Sequence, residues 1–487
     1  MACRLKRKVE LRWGPDFLPG VGGEFLQCMS SDRLHDLYDF CHQNEWDWSS
    51  GCSGTDSPTW VMNAITDSLQ RQGCHLGSRH CASAEIHEGK RNFIKQTSRP
   101  EVLFGDIWDL VAEKPYCHIR GRRKRFKRNQ KWKCFIAGFS CKNASGLNHD
   151  TNTGEEICLM TGSTGMTFGA VCHVLHSQLP RTFVLESVVG ILRQVHHLEK
   201  SFNDLGYHVV FIKSNPRLII PHSRDRIYMI GHRDVCNAGA AFHRVIMESI
   251  SQMEDLINEP LDVDQYLLSE NHPVVTARRA HFQERLSVNK CRSAMQPRSA
   301  EKLSQGVTYA SLWSDDLATV YPEAAVLPER ELGLLANIGM GFPHPQALVA
   351  NISQSNTSTL LGRVPTITPG GKYWLGHRCR TLTGAEALAL QGLWIPPGTL
   401  SGVSDALLHD LAGNAFNAVS CMTAMLAAMV GAGRMYALEM QHKASLRTAP
   451  PAPLSLVEQL EAQYAADQVA DEAEDTDSDE SILVLPS

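Results

Sequence analysis

The sequence predicts an α/β fold built on a doubly wound, largely parallel sheet, followed by a region of different character and an acidic tail. Three observations carry that expectation. From about residue 46 to 232, short apolar or glycine-ended segments alternate with segments of helical character. Polar residues with chemical potential stand at or just after several of those apolar segments. The hydrophobic fraction of 43% over 487 residues supports a large core and excludes wholesale disorder.

The apolar segments are Ala84–Ile86, Val102–Asp106, Cys134–Gly138, Thr182–Glu186, Tyr207–Ile212 and Ile227–Gly231. Strands alternating with helices imply βαβ units, and such sheets bind ligands beyond the C-terminal ends of their strands. An α/β unit with a ligand crevice is therefore expected over 46–232, after an N-terminal extension over 1–45 that is partly helical around Ser31–Phe40. Residues 233–372 are richer in Ser, Asn, Pro and Gly, and no fold is assigned to them. Order returns over 373–435 with an alanine- and leucine-rich helix at Thr383–Gln391 and a buried one near Asn417–Gly431. Residues 436–487 read as a linker and an acidic, disordered tail, with a short helix over Leu454–Ala466.

Charge and cysteine usage narrow the class. The net charge of −5 hides an asymmetry, because residues 448–487 hold ten acidic residues and no Lys or Arg. Without them the body has 47 basic against 42 acidic residues, a balance that admits a polyanionic ligand. No apolar stretch is long enough for a membrane span, and no h-region follows the basic N-terminus. Fifteen cysteines without a secretory signal imply reduced thiols inside the cell. No two of them are spaced as Cys-x-x-Cys, so no metal site is expected.

Four local patterns suggest chemistry. At Gly138-Phe139-Ser140-Cys141-Lys142 an apolar strand runs into a glycine-bearing turn tipped by a cysteine, and the adjacent cation favours its thiolate. By itself one cysteine among fifteen would read as an ordinary loop residue. Phe183-Val184-Leu185-Glu186 delivers a carboxylate at the end of a buried strand, the position of either a functional group or a helix cap. His222-Ser223-Arg224-Asp225-Arg226 places two arginines before another strand, and Gly413-Asn414-Ala415-Phe416 is a tight turn opening the last apolar helix.

In this order these elements resemble the cytosine-C5 methyltransferase family, and the resemblance spans most of residues 48–430. Gly51-Cys52-Ser53-Gly54 stands where the family has its first cofactor motif. Glu85-Ile86 looks like the acidic strand end that binds the cofactor ribose, and Asp106-Ile107 like the motif beside the adenine. Gly138–Ser145 looks like the nucleophile loop, Leu185–Val188 the glutamate motif and Ser223–Arg226 the arginine motif. Arg380–Thr383 with Glu386, and Leu390-Gln391-Gly392, resemble the ninth motif, and Gly413–Phe416, with Asn414 and Ala415, the last. The resemblance implies a Rossmann-like class I S-adenosylmethionine-dependent methyltransferase fold with a smaller target-recognition region, placed at 233–372. S-adenosyl-L-methionine is then the cofactor and DNA the partner. RNA on the same scaffold is the alternative, as is a relative that binds cofactor or nucleic acid without catalysis.

The implied chemistry explains the residue types. Cytosine carbon 5 is too weak a nucleophile unaided, and addition of the Cys141 thiolate at carbon 6 makes the ring enamine-like. Donation from Glu186 to N3 relieves the developing charge, Arg226 holds the base carbonyl, and Arg224 holds Glu186 or a phosphate. Carbon 6 is hidden in a stacked duplex, so the base must be flipped out or unpaired. Departures fall around these groups: Ser-Cys-Lys replaces Pro-Cys-Gln, Glu-Ser-Val replaces Glu-Asn-Val, His222 replaces glutamine and Ser49 an aromatic residue. The groups with chemical roles remain, which implies an active, divergent enzyme.

Residues 120–133 hold nine basic residues, among them Arg120, Arg122, Arg123, Arg125, Lys127 and Arg128. So dense a cluster repels itself unless anions are near, so phosphate contact at the catalytic rim, or a nuclear-localisation role, is expected of it. The predicted location is the nucleus. The tail end, Asp479-Glu480-Ser481-Ile482-Leu483-Val484-Leu485, has the pattern of a strand offered to a regulatory partner, or simply of an unstructured end.

Overall fold

A computed structural model of the chain describes residues 11–126, 130, 132–139, 161–233, 238–254, 260–288, 322–337, 344–353, 358–396, 398–400 and 402–448. Cys141, Lys127, Arg128, the segment 454–466 and the acidic tail lie outside the described residues. The chain divides between Tyr436 and Ala437 into two units.

The central sheet has seven strands. In chain order its members are β1 (Trp46–Gly51), β2 (Ser78–Ala84), β3 (Leu103–Phe104), β6 (Cys134–Gly138), β7 (Thr182–Ser187), β8 (Tyr207–Ser214) and β9 (Arg226–Arg233), and β4 (Tyr116–Cys117) with β5 (Arg122–Arg123) forms a separate hairpin. The spatial order is β3-β2-β1-β6-β7-β9-β8. The first five strands of that order run parallel, as the alternating pattern predicts. β9 departs from it, lying antiparallel to both β7 and β8. The reason is the connection: residues 215–225 hold only a short turn at Pro216–Leu218, too little chain for the crossover that a parallel partner needs.

β6 and β7 are the centre of the sheet because their sequences, Cys-Phe-Ile-Ala-Gly and Thr-Phe-Val-Leu-Glu-Ser, are apolar on both faces until their last residues. One face carries Phe135, Ala137, Phe139, Phe183, Leu185, Ile227 and Met229 into a single buried cluster. The other receives the C-terminal helix Ala418–Thr448, whose Cys421, Met422, Leu426, Met429 and Val430 are wholly buried. Against the expectation from the sequence, this helix is long and apolar enough to cross a membrane over Ala418–Ala444, but its apolar window is 94% buried in protein. It is a core helix.

Several boundaries differ from those read in the sequence. Within the expected N-terminal extension the described residues form two helices, Phe17–Cys28 and Ser31–Gln43. The first packs closely on the helix Ser57–Arg71, where Ser68 Oγ donates to Pro19 O at 2.8 Å. A Cβ on Gly22 would lie 2.5 Å from Ser68 Oγ, so the contact needs glycine. The helix Gly239–Glu254 lies against the catalytic body, with Phe242 and Ile246 packed on Gly431. In contrast, β12 (Tyr373–Leu375) and β13 (Arg380–Thr381) join β10 (Leu348–Asn351) and β11 (Thr359–Leu361) in a small antiparallel sheet ordered β11-β10-β12-β13. That sheet has its own core of Leu335, Ala350, Ile352, Trp374 and Cys379. The predicted helix at Thr383–Gln391 is shorter, Gly384–Ala389, and starts in a capping box between Thr383 and Glu386.

Candidate active site

The order of the strands, not their direction, switches between β1 and the parallel β6, and the predicted cofactor residues and Glu186 lie at the strand ends flanking that switch. After β1 the chain turns through Gly51-Cys52-Ser53-Gly54, with Cys52 and Gly54 in the left-handed region at φ +51 and +56. Gly51 is forced by packing. A Cβ there would lie 3.0 Å from Ile107 Cδ1 and 3.1 Å from Phe135 Cζ.

β2 delivers Glu85 to this turn. Its Oε2 accepts from Gly54 N at 2.8 Å and its Oε1 from His87 N at 2.9 Å. A carboxylate offers about four acceptor sites, so two remain for hydroxyl donors. Ile86, next in the chain, is 74% exposed, an apolar surface standing beside that carboxylate. After β3, Asp106 accepts from Trp108 N at 3.0 Å and caps the short helix Ile107–Leu110. Burial, then the Glu85 and Asp106 carboxylates, pushes the Cys52 thiol up to about 12. The Asn414 main-chain carbonyl closes the other side, 3.4 Å from where a Gly54 Cβ would sit. Gly51–Gly54, Glu85, Ile86, Asp106, Ile107, Asn414 and Ala415 are thus brought to one place. Their roles differ. Ile107 is buried beneath Gly51, and Ala415, buried too, acts through its carbonyl.

A buried network under this turn escaped the sequence reading. Asp56, wholly buried and at φ +56, accepts from Ser50 Oγ at 2.9 Å and Thr59 Oγ1 at 3.1 Å. His80 Nε2 lies 3.2 Å from Ser50 Oγ, and the ring stacks on Trp48 at 3.8 Å. Ser53 Oγ bonds Ser50 and Ser83, at 3.0 and 2.8 Å. Burial lowers the His80 pKa against the pull of Asp56. The crowding of hydroxyls around two glycines in Ser49–Ser57 was a signal; His80 had none.

At the next two strand ends stand Gly138 and Glu186, paired in register across β6 and β7. Glu186 is buried, and Arg226 Nε from β9 lies 2.9 Å from its Oε1 as a charge contact. Among the described residues that oxygen has no hydrogen-bond partner. Phe416 lies over Gly138, its Cε1 2.4 Å from where a Cβ would be, and its ring meets Tyr228 edge-on at 6.3 Å. Gly138 leads in sequence to Cys141.

Arg224 has a different role from the one expected. It is buried, and its guanidinium donates to the carbonyls of Ile367, Gly413 and Ala415 at 2.8, 3.2 and 3.0 Å. It braces the Gly413–Phe416 turn, while the charge beside Glu186 comes from Arg226. His222 does similar work. Its Nε2 accepts from Ile367 N at 3.1 Å, and burial, then Arg224 and Arg226, holds its pKa well below 6.5.

The basic cluster hangs outside the sheet edge. β4 and β5 form a hairpin turned at Gly121, φ +63, and Arg120, Arg122, Arg123 and Arg125 are exposed on it. It is tied to β3 by His118 N donating to Leu103 O at 2.8 Å. β3 is three strands from β6, roughly 14 Å at ordinary strand spacing, so the hairpin stands on the Asp106 side of the crevice rather than beside Gly138.

The model of the C-5 cytosine-specific DNA methylase family matches residues 65–418. The chain belongs to that family. A DNA (cytosine-5-)-methyltransferase DMT5 of Cryptococcus neoformans var. grubii is 25% identical over 414 residues, covering 78% of this chain and 17% of its own length. The DMT5 of Verticillium dahliae is 22% identical over 472 residues, covering 78% and 19%. The chain therefore spans under a fifth of the length of these curated relatives. Among solved structures, the Dnmt2 methyltransferase of S. pombe is 12% identical, with a TM-score of 0.41 over 79% of this chain and 98% of that one. A DNA modification methyltransferase described as putative, from a prophage of E. coli, is 16% identical with a TM-score of 0.43 over 81% and 100%. Family membership and the chain's own topology agree on a Rossmann-like methyltransferase fold.

Proposed function

We propose that this chain transfers a methyl group from S-adenosylmethionine to carbon 5 of a flipped-out cytosine in DNA, with Cys141 as nucleophile. The observation that carries the reading is the meeting of Glu186 and Arg226 beside Gly138, one strand pair from the Gly51–Gly54 turn. A cofactor with ribose hydroxyls and an adenine suits the neighbouring residues. Glu85 keeps acceptor sites open, Ile86 offers an apolar face, and the glycine turn admits close backbone approach. Bound there, S-adenosylmethionine supplies an electrophilic methyl group.

The protein's part is covalent and electrostatic. The Cys141 thiolate adds to carbon 6, which sends electron density to carbon 5; once carbon 5 carries the methyl group, a base removes its proton and the carbon 6–sulfur bond breaks, which frees the thiolate. Glu186 hydrogen-bonds N3 as charge develops on the ring, and Arg226 fixes the Glu186 carboxyl and has further donors for the base carbonyl. Arg120, Arg122, Arg123 and Arg125 contact phosphates flanking the target from the cofactor side of the crevice, and Lys127 and Arg128, next in the sequence, add to the phosphate-binding charge. The same basic cluster supports a nuclear location, and the acidic tail a regulatory contact.

The deciding experiment offers tritiated S-adenosylmethionine with DNA and with RNA, using Cys141→Ala as control. Label should enter DNA and vanish in the variant; label that survives the substitution overturns the mechanism. Oligonucleotides containing 5-fluorocytosine should trap a covalent adduct that needs both the thiol and the cofactor.

A further inference from the structure

We propose that Lys90 and Asp410 form a clamp that positions Asn414 for the methyl donor, which makes Asp410 a positioning residue of the cofactor site. The inference rests on the cofactor reading above and deepens it. Asp410 lies in the helix Asp405–Asn414, four residues before Asn414. Its two carboxylate oxygens face different partners. Oδ2 is 2.9 Å from Lys90 Nζ, and Oδ1 accepts from Asn414 Nδ2 at 3.0 Å. The Asp410 carbonyl accepts from the same nitrogen at 2.7 Å.

Each contact has a consequence. Lys90 lies in the first turn of the helix Glu88–Thr97, which begins two residues after Ile86. The ion pair therefore ties the acidic strand end to the helix that carries the Gly413–Phe416 turn. Leu407 of that helix reinforces the join, its Cδ2 3.2 Å from where a Gly89 Cβ would sit. Lys90 is only 11% exposed at its side chain, so water and salt screen the pair less than a free surface pair. With Nδ2 engaged twice by Asp410, Asn414 is left, among the described residues, with Oδ1 as its open polar atom, an acceptor suited to an amine or ammonium group of the ligand. Without the carboxylate the Asp410 carbonyl alone would hold Nδ2, and the amide would be less firmly oriented.

The experiment is calorimetric titration of the full chain with S-adenosylmethionine, without DNA. Lys90→Met and Asp410→Asn should each weaken binding about fivefold, the scale of one partly buried charge contact. The double variant should be no weaker than either single one, and Lys90→Arg should bind as the parent does. Circular dichroism and Tm without ligand should stay close to the parent. Unchanged affinity in either single variant, or additive losses in the double, overturns the clamp. A parent chain that binds no S-adenosylmethionine overturns the cofactor reading itself.

Discussion

Arg226 Nε stands 2.9 Å from Glu186 Oε1, joining the ends of two antiparallel neighbours, β7 and β9. The contact depends on the one reversal in the sheet. A parallel β9 would carry Arg226 to the opposite edge. Glu186→Gln keeps the shape but removes the carboxyl group that would move a proton at N3, so single-turnover methyl transfer should fall by about 10²- to 10⁴-fold. S-adenosylmethionine affinity should not change. Loss of cofactor affinity in place of rate would remove Glu186 from the chemistry.

Gly138 and Phe416 test the geometry of the nucleophile strand. An alanine Cβ at 138 would sit 2.4 Å from Phe416 Cε1, well inside contact distance. Gly138→Ala should therefore cost about 1–3 kcal/mol of overpacking and impair methyl transfer. Adding Phe416→Leu should recover much of the stability, because the ring edge is what the methyl group meets. Denaturant unfolding of the single and double variants measures this. Equal stability of Gly138→Ala and parent would show that the ring does not cover the glycine.

Most of the catalytic fold could be read from the sequence because its strands are short, apolar and punctuated by glycine or charge. Cys134–Gly138 matched its predicted limits, and Thr182–Glu186 ran one residue longer. The direction of β9 was not legible, since an apolar run has no polarity; only the short connection before it decides. Arg224 was misread for a similar reason. Two arginines separated by one residue look equivalent in sequence, yet the structure buries one against three carbonyls and sets the other at the carboxylate. Asp56, His80, Lys90 and Asp410 join residues far apart in the chain, and no local pattern announced those pairings.

Arg224 should behave as a structural residue. Arg224→Ala strands the carbonyls of Ile367, Gly413 and Ala415 and should destabilise the protein by about 2–4 kcal/mol, at the scale of several charge-assisted bonds. Lysine should rescue little, because one ammonium cannot span acceptors arranged for a planar fork. Thermal unfolding checks this. A variant with normal Tm but lost transfer would return Arg224 to a direct catalytic role.

His222 predicts acid sensitivity of a definite sign. Its Nε2 must stay unprotonated to accept from Ile367 N, and its pKa lies well below 6.5 because of burial first and the two arginines next. The unfolded chain takes up a proton near 6.5 that the folded chain refuses. Stability from this group is therefore fully present above pH 6.5 and is lost as pH falls below it, by at most roughly 1.4 kcal/mol per pH unit. His80 and His409, also lowered by burial, add in the same direction. Glutamine offers Ile367 N an acceptor without titrating. His222→Gln should hold the fold at pH 7.5 and lose less stability than the parent between 6.5 and 5.5 in urea unfolding. Parallel losses in the two proteins would mean that His222 does not set the acid limb.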